Sequence, residues 1–272
     1  QNSGSQNSGP QNSGPQNPAL RIPKVEFKDM EFVYAGAKEP ALKDISFCAM
    51  AGQTIGVIGG TGSGKSTLVN LIPRFYDAAS GQVLVDGTDV KEYSLDELRD
   101  KTGVVPQKSV LFKGTLRDNM RWGKQDASDE EIYRALDTAQ AREFVDSKGE
   151  GLDLYIDQGG HNLSGGQRQR LTIARALVRR PEILIMDDSA SARDFATDAR
   201  LRQASRENTG DMTVVIVSQR ATTIKSADTI LVLDEGRLAG MGTHKELLKD
   251  CQVYREICLS QLSKEEVERD EQ

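Results

Sequence analysis

The run Gly59-Gly60-Thr61-Gly62-Ser63-Gly64-Lys65-Ser66 fits the pattern G-x-x-x-x-G-K-[ST]. Before it stands the β-branched run Thr54-Ile55-Gly56-Val57-Ile58, and after it Thr67-Leu68-Val69-Asn70-Leu71-Ile72. Strand, glycine loop and helix in that order are the context a phosphate-binding loop requires. The glycines let consecutive backbone N–H groups turn inward around an oxyanion, where a Cβ would clash. The helix behind the loop adds its positive dipole end and unpaired N–H donors. Lys65 brings a mobile point charge to the β- and γ-phosphates, and the Ser66 hydroxyl is a hard oxygen ligand suited to Mg²⁺. A dinucleotide fingerprint G-x-G-x-x-G read from Gly60 would need glycine where Lys65 stands, so that reading is excluded. The loop is built for a nucleoside triphosphate.

A net charge of −6 and a pI near 5.2 argue against a nucleic-acid-binding face as the main function. No apolar run approaches the roughly eighteen residues of a membrane span, and no signal peptide opens the chain. The chain starts on Gln rather than Met and is read as a piece of something longer. Its three cysteines, Cys48, Cys251 and Cys258, form no C-x-x-C pair and read as thiols in a reducing compartment. Two histidines, His161 and His244, lack the companions a zinc site needs.

Residues 1–20 repeat Gln-Asn-Ser-Gly with Ser or Pro spacers, cannot fill a core, and read as a flexible linker or tag. The segments around Val25-Glu26-Phe27, Phe32-Val33-Tyr34 and Leu42–Cys48 alternate, which predicts antiparallel strands beside the nucleotide strand. Gly81–Val85 predicts another strand, closed by an Asp86-Gly87 turn. Gly103-Val104-Val105-Pro106 predicts a second strand of the nucleotide core, ending at Gln107. From about 108 to 180 the signals turn helical, with capping boxes such as Ser128-Asp129-Glu130-Glu131, and predict a helical subdomain inserted between core strands. It closes with Leu163-Ser164-Gly165-Gly166-Gln167 and a helix-compatible run. The apolar runs Glu182–Asp188 and Thr213–Gln219 predict buried parallel strands with a helix between them. A strand is predicted at Thr229–Asp234, a helix start at Thr243, and a frayed acidic tail over residues 263–272.

The glycine loop, a lone Gln after a strand, the run Leu163–Gln167 and a strand ending in Asp187 together resemble the nucleotide-binding domain of ABC transporters, over about residues 21–262. Leu111-Phe112-Lys113-Gly114-Thr115-Leu116-Arg117-Asp118-Asn119 resembles the exporter branch. The resemblance implies an α/β P-loop NTPase (RecA-like) core with an antiparallel β subdomain and an inserted α-helical subdomain, the ABC ATPase fold. It implies ATP and Mg²⁺ as ligands, bound by Tyr34 on the adenine and by Gly59, Gly60, Thr61, Gly62, Ser63, Gly64, Lys65, Ser66 and Thr67 around the phosphates. Ser66, Gln107 and Asp187 would serve the metal. It also implies two domains stacked head to tail, Ser164, Gly165, Gly166 and Gln167 acting in trans on the partner's ATP. The implied partners are an exporter's transmembrane domain, upstream in the same polypeptide, and a second ABC ATPase domain, at the cytoplasmic face of the membrane. A Ser, two glycines and a helix start suit that role, since they form an anion-binding surface without charge.

The catalytic set Lys65, Gln107, Asp188 and Gln219 departs from the family pattern at two places. The family has Glu where Asp188 stands and His where Gln219 stands. Shortening Glu to Asp withdraws the carboxylate by about one C–C bond, and a misplacement of about 1 Å can cost on the order of a hundredfold. Gln219 can donate an amide hydrogen bond but carries neither proton nor charge. The sequence therefore predicts tight ATP binding with slow hydrolysis, and resembles the degenerate half of heterodimeric bacterial exporters, whose partner is catalytically intact. Two other readings stay open: a nucleotide-gated binding module that closes on ATP with little hydrolysis, and a soluble ABC ATPase acting on DNA. The absence of basic patches and the exporter-like segment disfavour the last.

Overall fold

Alternation of β-branched runs with helices decides the architecture. The computed structural model describes residues 22–108, 110–187, 203, 207 and 210–271. In chain order β1 (Val25–Phe32), β2 (Leu42–Ala49) and β3 (Thr54–Gly59) lead into α1 (Lys65–Asn70). Then come β4 (Ser80–Val85), β5 (Thr88–Asp89), α2 (Leu95–Lys101) and β6 (Thr102–Val105). The next stretch holds β7 (Gly114–Thr115), α3 (Leu116–Arg121), α4 (Asp129–Thr138), α5 (Arg142–Ser147), β8 (Tyr155–Ile156) and α6 (Gly165–Leu177). After β9 (Ile183–Asp187) and β10 (Thr213–Val217) follow α7 (Ala221–Ile224), β11 (Thr229–Asp234) and β12 (Arg237–Gly242). The chain ends with α8 (His244–Asp250), α9 (Gln252–Gln261) and α10 (Lys264–Glu271).

The central sheet has the order β12-β11-β3-β10-β9-β6. Its pairs are parallel except for β11 with the edge strand β12. Alternate residues of each inner strand feed two separate cores. Ile55, Val57, Ile183, Ile185, Val215, Val217, Leu231 and Leu233 pack on one side with α1 and the β1–β4 layer. Ile58, Leu184, Met186, Val214, Ile216, Ile230 and Val232 pack on the other side with the helices. Burial on both faces is why these strands read as continuous apolar runs.

The N-terminal strands are antiparallel, as expected, and make up the antiparallel β subdomain. They do not pair with β3; they form their own sheet, in the order β2-β1-β4-β5. The reason is in the burial pattern: β1 and β2 bury one face only, so they stack on the central sheet through Val25, Phe27, Met30, Leu42 and Ile45. Asp86 and Gly87 take φ of 51° and 76°, the mirror-image turn an Asp-Gly pair favours, and bring Val85 opposite Thr88. The predicted capping boxes at Ser94 and Ser128 are present, each closed by the Glu three residues on. The helix expected between β9 and β10 lies outside the described residues, apart from 203 and 207.

The frayed tail expected after Ser263 is a helix instead. Ser263 accepts from the Glu266 amide, Val267 is buried, and Arg255 reaches Glu271 at 2.8 Å. Burial of one apolar side chain and these end contacts outweigh the acidic composition. No helix among the described residues is long and apolar enough to cross a membrane.

Gly56, mid-strand in β3, faces α7: a Cβ there would stand 2.8 Å from Ile224 Cβ. Gly56→Ala should therefore destabilise the fold by about 1–3 kcal/mol, read from the midpoint of urea unfolding, and an unchanged midpoint would show that α7 yields freely.

Candidate nucleotide-binding site

Register places the site. Val217 is level with Val57 on one side and Asp187 on the other, and Leu233 is level with Gly59. The C-terminal ends of β11, β3, β10 and β9 thus form one rim, and β6 joins it with Val105 opposite Met186. In an open α/β sheet that rim is where ligands bind. Along it the sheet order sets out the glycine loop after β3, Gln219 after β10, Asp187 at the end of β9 and Gln107 after β6.

Two glycines of the loop are there because nothing larger fits. A Cβ on Gly59 would sit 2.1 Å from the Leu233 carbonyl oxygen. Gly64 caps α1 with φ of 98°, and its Cβ would meet Leu42 at 2.6 Å. Lys65 turns back into the loop, 7% exposed, and donates to the carbonyls of Gly59 at 3.0 Å and Gly60 at 2.8 Å. A buried ammonium needs such acceptors, and phosphate oxygens would serve it better because that bond is charge-assisted. Ser63 is buried in the same loop with no hydrogen-bond partner for its hydroxyl. The Ser66 hydroxyl donates to Asp187 Oδ1 at 2.8 Å, so two hard oxygens from α1 and β9 meet at one point. A loop closed to a Cβ at Gly59 and Gly64, an orphaned hydroxyl and an oxygen pair fit a phosphate chain with Mg²⁺.

Tyr34, expected on the base, lies just past β1 and is 41% exposed. Its hydroxyl and Thr67 Oγ1 share a hydrogen bond of 2.7 Å, so it stands beside the first turn of α1. Phe32 and Tyr76 hold the ring edge-on, at centroid distances of 4.7 and 5.6 Å. Tyr76 was not legible in the sequence, since Phe75-Tyr76 falls between elements with no periodicity to flag it.

A model of the ABC transporter family matches residues 42–191. The chain belongs to this family. An uncharacterized ABC transporter ATP-binding protein of Mycobacterium tuberculosis is 48% identical over 233 residues, which are 85% of this chain and 40% of that protein. The ATP-dependent lipid A-core flippase of Haemophilus influenzae is 42% identical over 240 residues, 88% of this chain and 41% of the flippase. Among solved structures, a bacterial Atm1-family ABC exporter with ATP bound superposes with a TM-score of 0.79 at 36% identity, covering 92% of this chain and 44% of the exporter. The chain spans about two fifths of the length of the curated relatives it matches. It has the ABC ATPase fold, and the ligands of that domain are ATP and Mg²⁺.

The remaining predicted residues of this ABC domain fall in three places. Gln107 and Gln219 are exposed on the rim, each two residues beyond its strand. Asp188 lies outside the described residues. Ser164, Gly165 and Gly166 are exposed at the start of α6, which packs on α3, α4 and β6. There Ser164 Oγ accepts from the Gln167 amide at 3.2 Å and Gln167 Oε1 accepts from the Ser164 amide at 3.0 Å. The run Ser164–Gln167 is thus also a capping box, and the cap holds its serine and its glycines in one geometry.

A second feature escaped the sequence reading. A groove of about 290 Å³ between β6, α6 and the end of α3 is lined by Phe75, Arg99, Trp122, Arg175 and Arg179. Trp122 is 67% exposed there, and Arg99 Nε and Arg175 Nη1 are buried without partners. Burial alone lowers the pKa of the Arg175 guanidinium. The lone tryptophan of the chain was the one available signal.

Ser66→Ala removes one of the two oxygens that meet at the rim. Affinity for ATP measured by calorimetry with Mg²⁺ should fall by about tenfold, while affinity in excess EDTA stays within about twofold. An equal loss under both conditions would remove Ser66 from the metal set.

Proposed function

We propose that this domain is the ATP-binding half of an ABC exporter that holds Mg·ATP tightly, hydrolyses it slowly at its own loop, and lends its signature to a second, catalytically intact ATPase domain. The exposure of Ser164, Gly165 and Gly166 on α6, an element apart from the glycine loop, is the observation that carries the trans role. A helix N-terminus presenting uncharged donors to solvent suits a terminal phosphate offered by another subunit. At the chain's own site the binding side chains Tyr34, Lys65, Ser66, Thr67 and Asp187 are gathered, and the two residues nearest the chemistry are Asp188 and Gln219. General-base assistance is worth roughly 10²–10⁴-fold, and an amide cannot supply it. On this reading Gln107 and Asp187 serve Mg²⁺ through water, and Lys65 neutralises the β- and γ-phosphates.

The division of the chain belongs to the same proposal: a linker over 1–20, the ATPase domain over 21–262 with a helical subdomain over about 108–180, and an acidic tail. So do the partners. The transmembrane portion lies upstream in the same polypeptide, and the groove at Phe75, Trp122 and the orphaned Arg99 and Arg175 nitrogens receives it at the cytoplasmic face. An exposed tryptophan beside unpaired guanidinium nitrogens suits a segment bringing apolar and acidic or hydroxyl groups. In the whole exporter Trp122→Glu should lower transport-linked ATP turnover by about tenfold and leave nucleotide affinity within about twofold; unchanged turnover would clear the groove of this role.

ATP turnover by the chain alone and mixed with its partner subunit tests the main reading. Slow turnover alone, raised by the partner and lost again with Ser164→Ala or Gly165→Asp in this chain, is expected. Restoring both family residues, Asp188→Glu with Gln219→His, should raise the chain's own catalysis by about a hundredfold or more in the assembled pair. Failure of any partner to stimulate favours a nucleotide-gated module instead.

A further inference from the structure

Gln219 leaves the rim on a short piece of chain that has no regular structure of its own, so something must aim it. Ser218, buried at the end of β10, accepts from the Arg220 amide through its hydroxyl at 3.0 Å. The next restraint comes from far along the sequence. Gln261, the last residue of α9, donates from Nε2 to the Gln219 carbonyl at 2.7 Å and accepts at Oε1 from the Ala221 amide at 2.9 Å. One side-chain amide thus pairs with the acceptor and the donor that flank Arg220, as a neighbouring strand would. Only a primary amide of this length offers both partners in one plane.

The support behind Gln261 is rigid. Tyr254 and Cys258 of α9 are fully buried, and the helix packs on α7, α8, β11 and β12. The other end of the same segment is held too. Ile224 of α7 fills the space Gly56 leaves on β3, and Lys225 pairs with Asp270 of α10 at 3.6 Å. Asp270 in turn lies 3.4 Å from His244, which shares a 2.7 Å hydrogen bond with the Tyr254 hydroxyl. The C-terminal helices therefore grip residues 219–225 from both ends.

We infer that Gln261 is a positioning residue for the terminal-phosphate contact of Gln219, and that α9 and α10 act as its strut. This rests on the proposed function, with the Gln219 amide, which stands where the family has His, taken as a donor to the γ-phosphate. The backbone of residue 219 sets the direction of its side chain, and a shift of about 1 Å is enough to lose a hydrogen bond to an oxyanion. A role confined to holding α9 in place would alter stability and leave the discrimination between nucleotides untouched.

Equilibrium binding of Mg·ADP and of a nonhydrolysable Mg·ATP analogue separates these roles. In the native protein the triphosphate should bind more tightly. Gln261→Leu removes both hydrogen bonds and should weaken the triphosphate by about tenfold, the weight of one charge-assisted hydrogen bond, with Mg·ADP within about twofold. Gln261→Glu keeps the acceptor for Ala221 but sets a carboxylate against the Gln219 carbonyl, so it should follow the leucine variant, and it carries the test if the leucine variant melts early. In a Gln219→Ala background, Gln261→Leu should cost the triphosphate nothing further. Parallel losses for both nucleotides, no loss for either, or a full loss that persists without Gln219 would overturn the inference. A native protein that binds neither nucleotide, or both alike, is seen before any variant is made and defeats the proposed site itself.

Discussion

Gly59 and the Leu233 carbonyl oxygen approach so closely that only a hydrogen atom can stand between β3 and β11 at that level, since a Cβ would lie 2.1 Å from the oxygen. The glycine loop begins at that contact. Because β3 is held there, the loop opens on the rim of the sheet rather than beneath it, and Lys65 can fold back onto the Gly59 and Gly60 carbonyls. Ser66 then falls within 2.8 Å of Asp187, which a different strand supplies. A side chain at position 59 would push the two strands apart and shift Ser66 relative to Asp187.

The rim works because its strands are level, and they are level because each is buried on both faces. Residues alternate between one core shared with α1 and the antiparallel sheet and another shared with the helices. A one-residue slip of β9 or β10 would exchange these faces and move Asp187 or Gln219 along the rim at the same time. Packing and site geometry are one constraint here. The antiparallel sheet has no such double burial, and it contributes Tyr34 from a loop beyond β1, steadied by Phe32 and Tyr76.

Much of this was legible from local signals. The glycine loop is a contiguous motif, the capping boxes at Ser94, Ser128 and Ser164 are four-residue patterns, and the Asp86-Gly87 turn is a two-residue one. The apolar runs marked β3, β9, β10 and β11 because double burial leaves no polar alternation to confuse them. Strand partners were not legible. Alternation in Val25–Cys48 announced strands but carried no information on which strands they join, and the acidic tail concealed a helix held by Val267, Asp270 and Glu271. The groove at Trp122 and the amide of Gln261 draw on residues distant in sequence, so no window along the chain contains them.

The sequence by itself determined which motifs the chain carries: a glycine loop ending in Lys65-Ser66, an apolar run ending in Asp187-Asp188, a capping serine followed by two glycines, and Gln219 just past another apolar run. Covalent identity and short-range backbone preference are enough for that, because each motif acts within a few residues. Tertiary structure alone decided where these parts stand. The order β11-β3-β10-β9-β6 sets out the glycine loop, Gln219, Asp187 and Gln107 along one edge, and Gln261, 42 residues beyond Gln219, holds its backbone. Such placements depend on which buried faces meet when the chain collapses, and burial free energy is blind to separation along the sequence.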